Sequence, residues 1–137
     1  MYRHTKVEEY LSIAKELSNY FIQNIIQTDY IAKVDFKAPD LPEFYDTSAG
    51  LCAACGFLEI AHWVSAEEKS EYLHPAIQIV QSTEQKYANW LLEEDGIIGG
   101  GTEAYHRLIT NDVPLIYSDY FFIEVLLKLN GKDLFIW

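Results

Sequence analysis

Two kinds of apolar pattern alternate along the chain. Over residues 6 to about 27, Val7, Leu11, Ala14, Ser18, Phe21 and Ile25 recur at spacings of four and three. That spacing places them on one stripe of a helix, which Tyr10 and Leu17 widen. Lys6, Glu8, Glu9, Lys15, Glu16 and Gln23 fill the opposite face, and Thr5 followed by Glu8 predicts a capping box. From Ala49 to Val64 the pattern changes: only Glu59 and His62 are strongly polar. A helix apolar on nearly every side must be enclosed by other elements. Its small residues Ala49, Gly50, Ala53, Ala54 and Gly56 leave thin faces for neighbouring backbones. At 16 residues it is too short to span a bilayer.

The alternation then repeats. Ser65 and Glu68 predict a second capping box, and a helix follows to about Trp90. Its stripe is Tyr72, Ala76, Ile79, Thr83, Tyr87 and Trp90. Pro75 predicts a kink or short break near His74. The tight connection from Val64 to Glu67 turns this helix back antiparallel on the one before it. Leu115 to Leu129 is again apolar nearly all round; Pro114 stands near its start and Asn130-Gly131 stops it. A long connection precedes each apolar helix. Residues 28 to 46 carry Pro39, Pro42 and the aromatics Tyr30, Phe36, Phe44 and Tyr45, which predict a packed loop. Asp46, Thr47 and Ser48 are N-cap candidates at its end. Residues 92 to 113 hold Gly96 and the run Gly99-Gly100-Gly101, without the Lys-Ser/Thr ending or preceding strand of a phosphate-binding loop. The expected fold is all-α: antiparallel helical hairpins in a ring or solenoid, one helical domain over 1–137. Four long helices do not close a two-layered ring, so both apolar helices keep uncovered faces in a monomer.

Half the 137 residues are hydrophobic, 15% are aromatic and the formal net charge is -11. That balance supports a sizeable core and argues against a nucleic-acid partner, because phosphate contacts need a basic surface. No basic segment leads into an apolar stretch at Met1, so no secretory leader or lipid anchor is expected. Cys52 and Cys55 lie three apart on the apolar helix and read as small core residues. No further Cys or His pair stands at metal-ligand spacing. Cytoplasmic residence, with no membrane partner, fits these features.

Four stretches together resemble one family. Asp46-Thr47-Ser48-Ala49, running into Ala53-Ala54-Cys55-Gly56-Phe57-Leu58-Glu59-Ile60-Ala61, is similar to a DSSA…AAxGLLELA segment of unsaturated glucuronyl hydrolases. Val34 to Pro42 resembles their WDFxAPDIP loop, and Leu115 to Glu124 their closing LIYGDYFFLEALL helix. Tyr2-Arg3-His4-Thr5 resembles the end of an earlier helix. The resemblance implies part of an (α/α)6 toroid of six hairpins, corresponding to the C-terminal third of a member. It implies an activity on oligosaccharides already cut by a lyase. There an aspartic acid protonates the C4=C5 double bond of the unsaturated uronic acid, water adds, and the sugar leaves through a hemiketal. No metal and no organic cofactor is implied. The family's catalytic aspartates and most stacking tryptophans are expected N-terminal of Met1, so no catalytic residue is assigned and the chain alone is expected to be inactive. Lys33-Val34 stands where the loop usually has Trp, Gly100 where the late loop often has His, and Ser118 where the closing helix usually has Gly.

The candidate substrate-binding residues are His106, Tyr117, Asp119 and Tyr120. Asp119 lies between two tyrosines near the start of an apolar helix; it either faces sugar or hydrogen-bonds loop backbone within the core. His106 either donates to a uronate carboxylate or is an ordinary exposed loop histidine. His62 reads as structural, and Trp63, Trp90 and Trp137 as packing residues. The expected partners are an oligosaccharide, where a complete site forms, and either a second copy of the chain or the missing N-terminal half. The other function class consistent with the residues is a non-catalytic helical module that self-associates or binds carbohydrate.

Overall fold

Asp46 ends the first long connection in an extended conformation, and its carboxylate accepts the Ser48 backbone N–H at 3.0 Å. Of the three cap candidates this one starts the central helix. The computed structural model describes residues 1–132 without 40, 92 and 94 and without the side chain of Leu108. Its helices are α1 (Tyr2–Thr5), α2 (Glu8–Ile25), α3 (Thr47–Ala61), α4 (Ala66–Tyr87) and α5 (Ile116–Leu129). Among the described residues there is no strand, only the isolated bridges Lys33–Tyr45, Ala88–Ile98 and Gly101–Val113. Trp137 and the tail around it lie outside the described residues.

The core forms where α3 meets α4 and α5. Leu51, Ala54, Tyr72, Ala76, Ile79 and Val125 are buried there, with Ile98 from the second loop. The Ser65 hydroxyl accepts the Glu68 N–H at 3.3 Å and starts α4 as the sequence predicts. Glu68 also takes Lys15 of α2 at 2.5 Å, which with the Ser65 amide holds its carboxyl below the usual range. The predicted stripe of α4 is buried from Tyr72 to Thr83. At the far end of α5, Gly131 takes φ +70° and its N–H bonds the Lys128 carbonyl, stopping the helix.

Several expectations are corrected. Thr5 does not cap α2; Val7 holds that place, because Lys6 takes a left-handed conformation that closes α1 first. The Lys6 ammonium then lies 3.6 Å over the Trp63 ring, and Tyr2 meets Trp63 edge-on at 5.4 Å. With the Arg3–Glu59 ion pair, these contacts tie α1 to the end of α3. α4 runs through Pro75 unbroken, because Tyr72, Pro75, Ala76 and Ile79 are all buried against their neighbours. It ends at Tyr87, so Trp90 is not on its stripe and is 62% exposed. Pro114 does stand near the start of α5 as expected, two residues before it. Cys55 is buried, but Cys52 is exposed.

The uncovered faces expected of the apolar helices are present. On α3 they run along Cys52 and Gly56; on α5 along Ile116, Ile123, Leu126 and Leu129. No helix among the described residues is long and apolar enough to cross a membrane.

Leu51 has no exposed surface. Leu51→Ala is expected to lower stability by about 2–5 kcal/mol, read from urea unfolding followed by circular dichroism. A loss below about 1 kcal/mol would show that the α3–α4 seam is not the core.

Candidate functional site

The first turns of α3 and α5 meet at one end of the molecule, with the glycine run of the second loop laid against them. Thr47 opens α3 fully buried. Its backbone N–H donates to the Gly100 carbonyl at 3.0 Å, and its hydroxyl donates to the Gly99 carbonyl at 2.8 Å. The same hydroxyl lies 3.1 Å from that of Ser118, which is also fully buried. Thr47 has one hydroxyl proton, already given to Gly99, so Ser118 donates to Thr47. Ser118, at the position where a glycine is usual, thus links the two apolar helices.

Asp119 completes this arrangement. One carboxylate oxygen accepts the Ile97 N–H at 3.1 Å and the Ile98 N–H at 2.8 Å; the other lies 3.3 Å from the Ile97 nitrogen. A negative charge in the first turn of α5 is also favoured by the helix dipole. Of the two roles the sequence allows, loop support is the one whose contacts are formed. The loop it holds is tightly constrained. Gly100 has φ +70°, and a Cβ there would come within 2.3 Å of the Tyr87 ring. At Gly101 a Cβ would come within 2.7 Å of Leu115 and 2.9 Å of the Val113 carbonyl oxygen.

The other candidates are spread around this end. Tyr117 is 64% exposed on the first turn of α5. Tyr120 is half-buried with its ring 5.2 Å from that of Phe121; burial and the Glu124 carboxylate raise its phenol. His106 meets Tyr105 edge-on at 5.2 Å, and Tyr105 in turn packs on Phe44 and donates to the Pro42 carbonyl. Both long loops are thereby joined, with Thr102 donating to the Tyr45 carbonyl at 2.7 Å. Among the described residues no hydrogen bond links His106 to Asp119.

Between these loops lies a cleft of about 420 Å³ lined by Tyr45, Tyr87, Gly100, Thr102, Asn111 and Asp112, with Glu43 and Phe44 at its side. The sequence did not single out this lining. Its one signal was the aromatic content of residues 28–46. The Tyr45 hydroxyl donates to Glu43 at 2.7 Å, and that bond, with burial, pushes the phenol up to about 12. Glu43 is held low by Lys33 and Tyr45. Aromatic faces beside amides, hydroxyls and carboxylates suit a hydroxylated ligand.

A second recess, about 290 Å³, opens between α3 and α5 over Cys52, Cys55, Glu59, Phe121, Glu124 and Lys128. Glu124 and Lys128 pair there at 3.4 Å, both nearly buried. Burial pushes the Cys55 thiol up to about 12. Burial also acts to raise Glu59, but the Trp63 indole N–H and Arg3 outweigh it and leave the carboxyl below its ordinary range. Glu43, Glu59, Glu67 and Glu68 are all held low. That is the opposite of what a carboxyl general acid requires. No three His, Cys, Asp or Glu among the described residues cluster as a metal site.

No family model matches the chain. It is 32% identical over 124 residues to the unsaturated glucuronyl hydrolase of Bacillus sp. (strain GL1), a match covering 88% of this chain and 33% of that protein. To the unsaturated chondroitin disaccharide hydrolase of Streptococcus pneumoniae it is 29% identical over 136 residues, covering 93% and 33%. The crystal structure of the Bacillus sp. GL1 hydrolase superposes with a TM-score of 0.87 at 29% identity, over 96% of this chain and 36% of that one. A UGL variant with dGlcA-Glc-Rha-Glc superposes equally well. A Streptococcus agalactiae unsaturated glucuronyl hydrolase variant, 24% identical with a TM-score of 0.82, shares the fold. The chain is therefore a homologue of unsaturated glucuronyl hydrolases over most of its own length, and its antiparallel hairpins are part of an (α/α)6 toroid. It spans about a third of the length of the curated relatives it matches.

Asp119→Ala is expected to cost roughly 2–4 kcal/mol, because it leaves two backbone N–H groups without their charged acceptor. Gly100→Ala is expected to destabilise through both its positive φ and its approach to Tyr87. Urea titrations of the two variants check this. A change under about 0.5 kcal/mol for Asp119→Ala would mean that the loop is held by other contacts.

Proposed function

We propose that the chain supplies about a third of the ring of an unsaturated glucuronyl hydrolase and works in that ring on unsaturated uronyl oligosaccharides released by a lyase. The observation that carries this reading is the superposition of nearly the whole chain, at TM-score 0.87, on 36% of a solved hydrolase. Its relatives include a protein named for unsaturated chondroitin disaccharides, which places glycosaminoglycan-derived disaccharides first among substrates to test.

The chemistry asked of the whole ring is protonation of the C4=C5 bond, addition of water, and opening of the resulting hemiketal with departure of the remaining sugar. A carboxyl acid with a raised pKa must start it. On the loop face this chain already commits Asp119 to the Ile97 and Ile98 amides. Its contribution is to hold and shape substrate. Tyr117 is the open aromatic surface for a sugar ring, and His106 the donor to a uronate carboxylate. Tyr120 packs on Phe121. Asp119 acts through the loop it fixes, as a positioning residue. The acid is provided by the rest of the ring.

The test is a chimera in which this chain replaces the matched part of the Bacillus sp. GL1 hydrolase. With an unsaturated chondroitin disaccharide as substrate, the double-bond absorbance should fall in the presence of the chimera and stay constant with the chain alone. Tyr117→Ala in the chimera should raise KM about tenfold, the loss of one stacking contact of about 1.4 kcal/mol. Turnover by the isolated chain would contradict the need for the rest of the ring. A folded chimera without turnover would remove the hydrolase reading.

A further inference from the structure

His106 stands on a loop that closes on itself. The Glu103 N–H donates to the Thr110 carbonyl at 3.1 Å, and the Arg107 N–H to the Ala104 carbonyl at 2.9 Å. Arg107 also pairs with Glu103 at 3.2 Å. These bonds fix the loop's own shape. Its base is the Gly101–Val113 bridge, and it projects from there, with Ile109 91% exposed. Its outer part leans on the first long loop through side chains. The Phe44 ring meets the Tyr105 ring edge-on, with centroids 5.5 Å apart at 78°, and Tyr105 meets His106 at 5.2 Å and 90°. The Tyr105 hydroxyl donates to the Pro42 carbonyl at 3.3 Å. Phe44 is itself anchored. The Val34 N–H donates to its carbonyl at 3.0 Å, and the Asp46 N–H donates to the carbonyl of Ala32, a core residue, at 2.8 Å.

We propose that Phe44 is a positioning residue for this site: through Tyr105 it fixes the His106 ring in the orientation that meets a uronate carboxylate. The proposal rests on the hydrolase reading above, which gives His106 that carboxylate. Three rings packed edge-on form a relay that starts on an anchored backbone and ends at an exposed imidazole. Exposed side chains change rotamer within nanoseconds unless packing holds them. Edge-to-face packing holds an angle, because the rim of one ring is positive and the face of the next negative. An aliphatic side chain at position 44 would supply apolar contact without that angle, since apolar contact is not directional. Ordering His106 before substrate arrives lowers the entropy lost on binding. The carboxylate is held in the ground state and the transition state alike, so loss of the relay moves KM and leaves kcat.

The experiment has two arms. In the chimera described above, acting on an unsaturated chondroitin disaccharide, Phe44→Leu should raise KM about fivefold, the scale of one aromatic pair, and change kcat less than about twofold. Phe44→Tyr, which keeps the ring, should restore the parent KM. In a His106→Ala background Phe44→Leu should have no further effect, because the two residues act as one unit. The second arm uses the whole chain by itself. Its histidines are labelled with carbon-13 at Cε1, and His106 is identified as the signal lost in His106→Gln. Phe44→Leu should shift that signal, since the Tyr105 ring beside it moves, and leave those of His62 and His74 in place. Circular dichroism verifies that helix content is kept, and if Phe44→Leu loses it, Phe44→Ile decides. An unmoved His106 signal, a loss in kcat equal to the loss in kcat/KM, or an additive effect in the His106→Ala background overturns the proposal. If the chimera is inactive but the His106 signal shifts with Phe44→Leu and not with Phe44→Tyr, the relay stands and the hydrolase reading alone falls.

Discussion

Ser118 and Thr47 meet where water does not reach, and the direction of their hydrogen bond is forced. Because Thr47 has given its proton to Gly99, Ser118 must give its own to Thr47. A buried hydroxyl left unpaired costs about 1–3 kcal/mol, so each of these groups depends on the others being in place. Two helices and a loop are thus held by one chain of bonds. The core below could tolerate some sliding of α3 against α5, since apolar contact is not directional. The hydroxyl pair cannot, and it sets the register in which the loop face is built.

Much of the fold was legible because it rests on periodicity. Tyr72, Ala76, Ile79 and Thr83 are buried on α4 as their spacing implies, and α3 is enclosed along most of its circumference. Rules that act over a few residues fared less well where packing opposed them. Pro75 loses a backbone bond, yet Tyr72, Pro75 itself, Ala76 and Ile79 are buried, and α4 continues. Thr5 and Glu8 have the spacing of a cap, but Lys6 between them turns left-handed to bring its ammonium over Trp63. Cys52 shows a different limit. On a helix apolar all round, periodicity does not say which face lacks a neighbour.

The loop face was harder to read for another reason. Asp119 stood out as a carboxylate among apolar residues, but its partners are the backbone amides of Ile97 and Ile98, some twenty residues earlier. Every residue type has such an amide, so no side-chain pattern announces it. The cleft beside Tyr45 and Tyr87 likewise exists only once the two long loops are joined through Thr102 and Tyr105. Composition could say that residues 28–46 would pack, and not against what.

The approach of Tyr87 to Gly100 bears on how this chain can change over generations. Position 100 has a left-handed backbone and an aromatic ring where a side chain would begin. A single substitution that adds a side chain there meets both obstacles at once. Shrinking Tyr87 first removes one of them and leaves a gap beside the cleft. The two positions therefore form an ordered pair: the ring must recede before the glycine can be replaced, and a lineage that has gained a side chain at 100 should carry a smaller residue at 87.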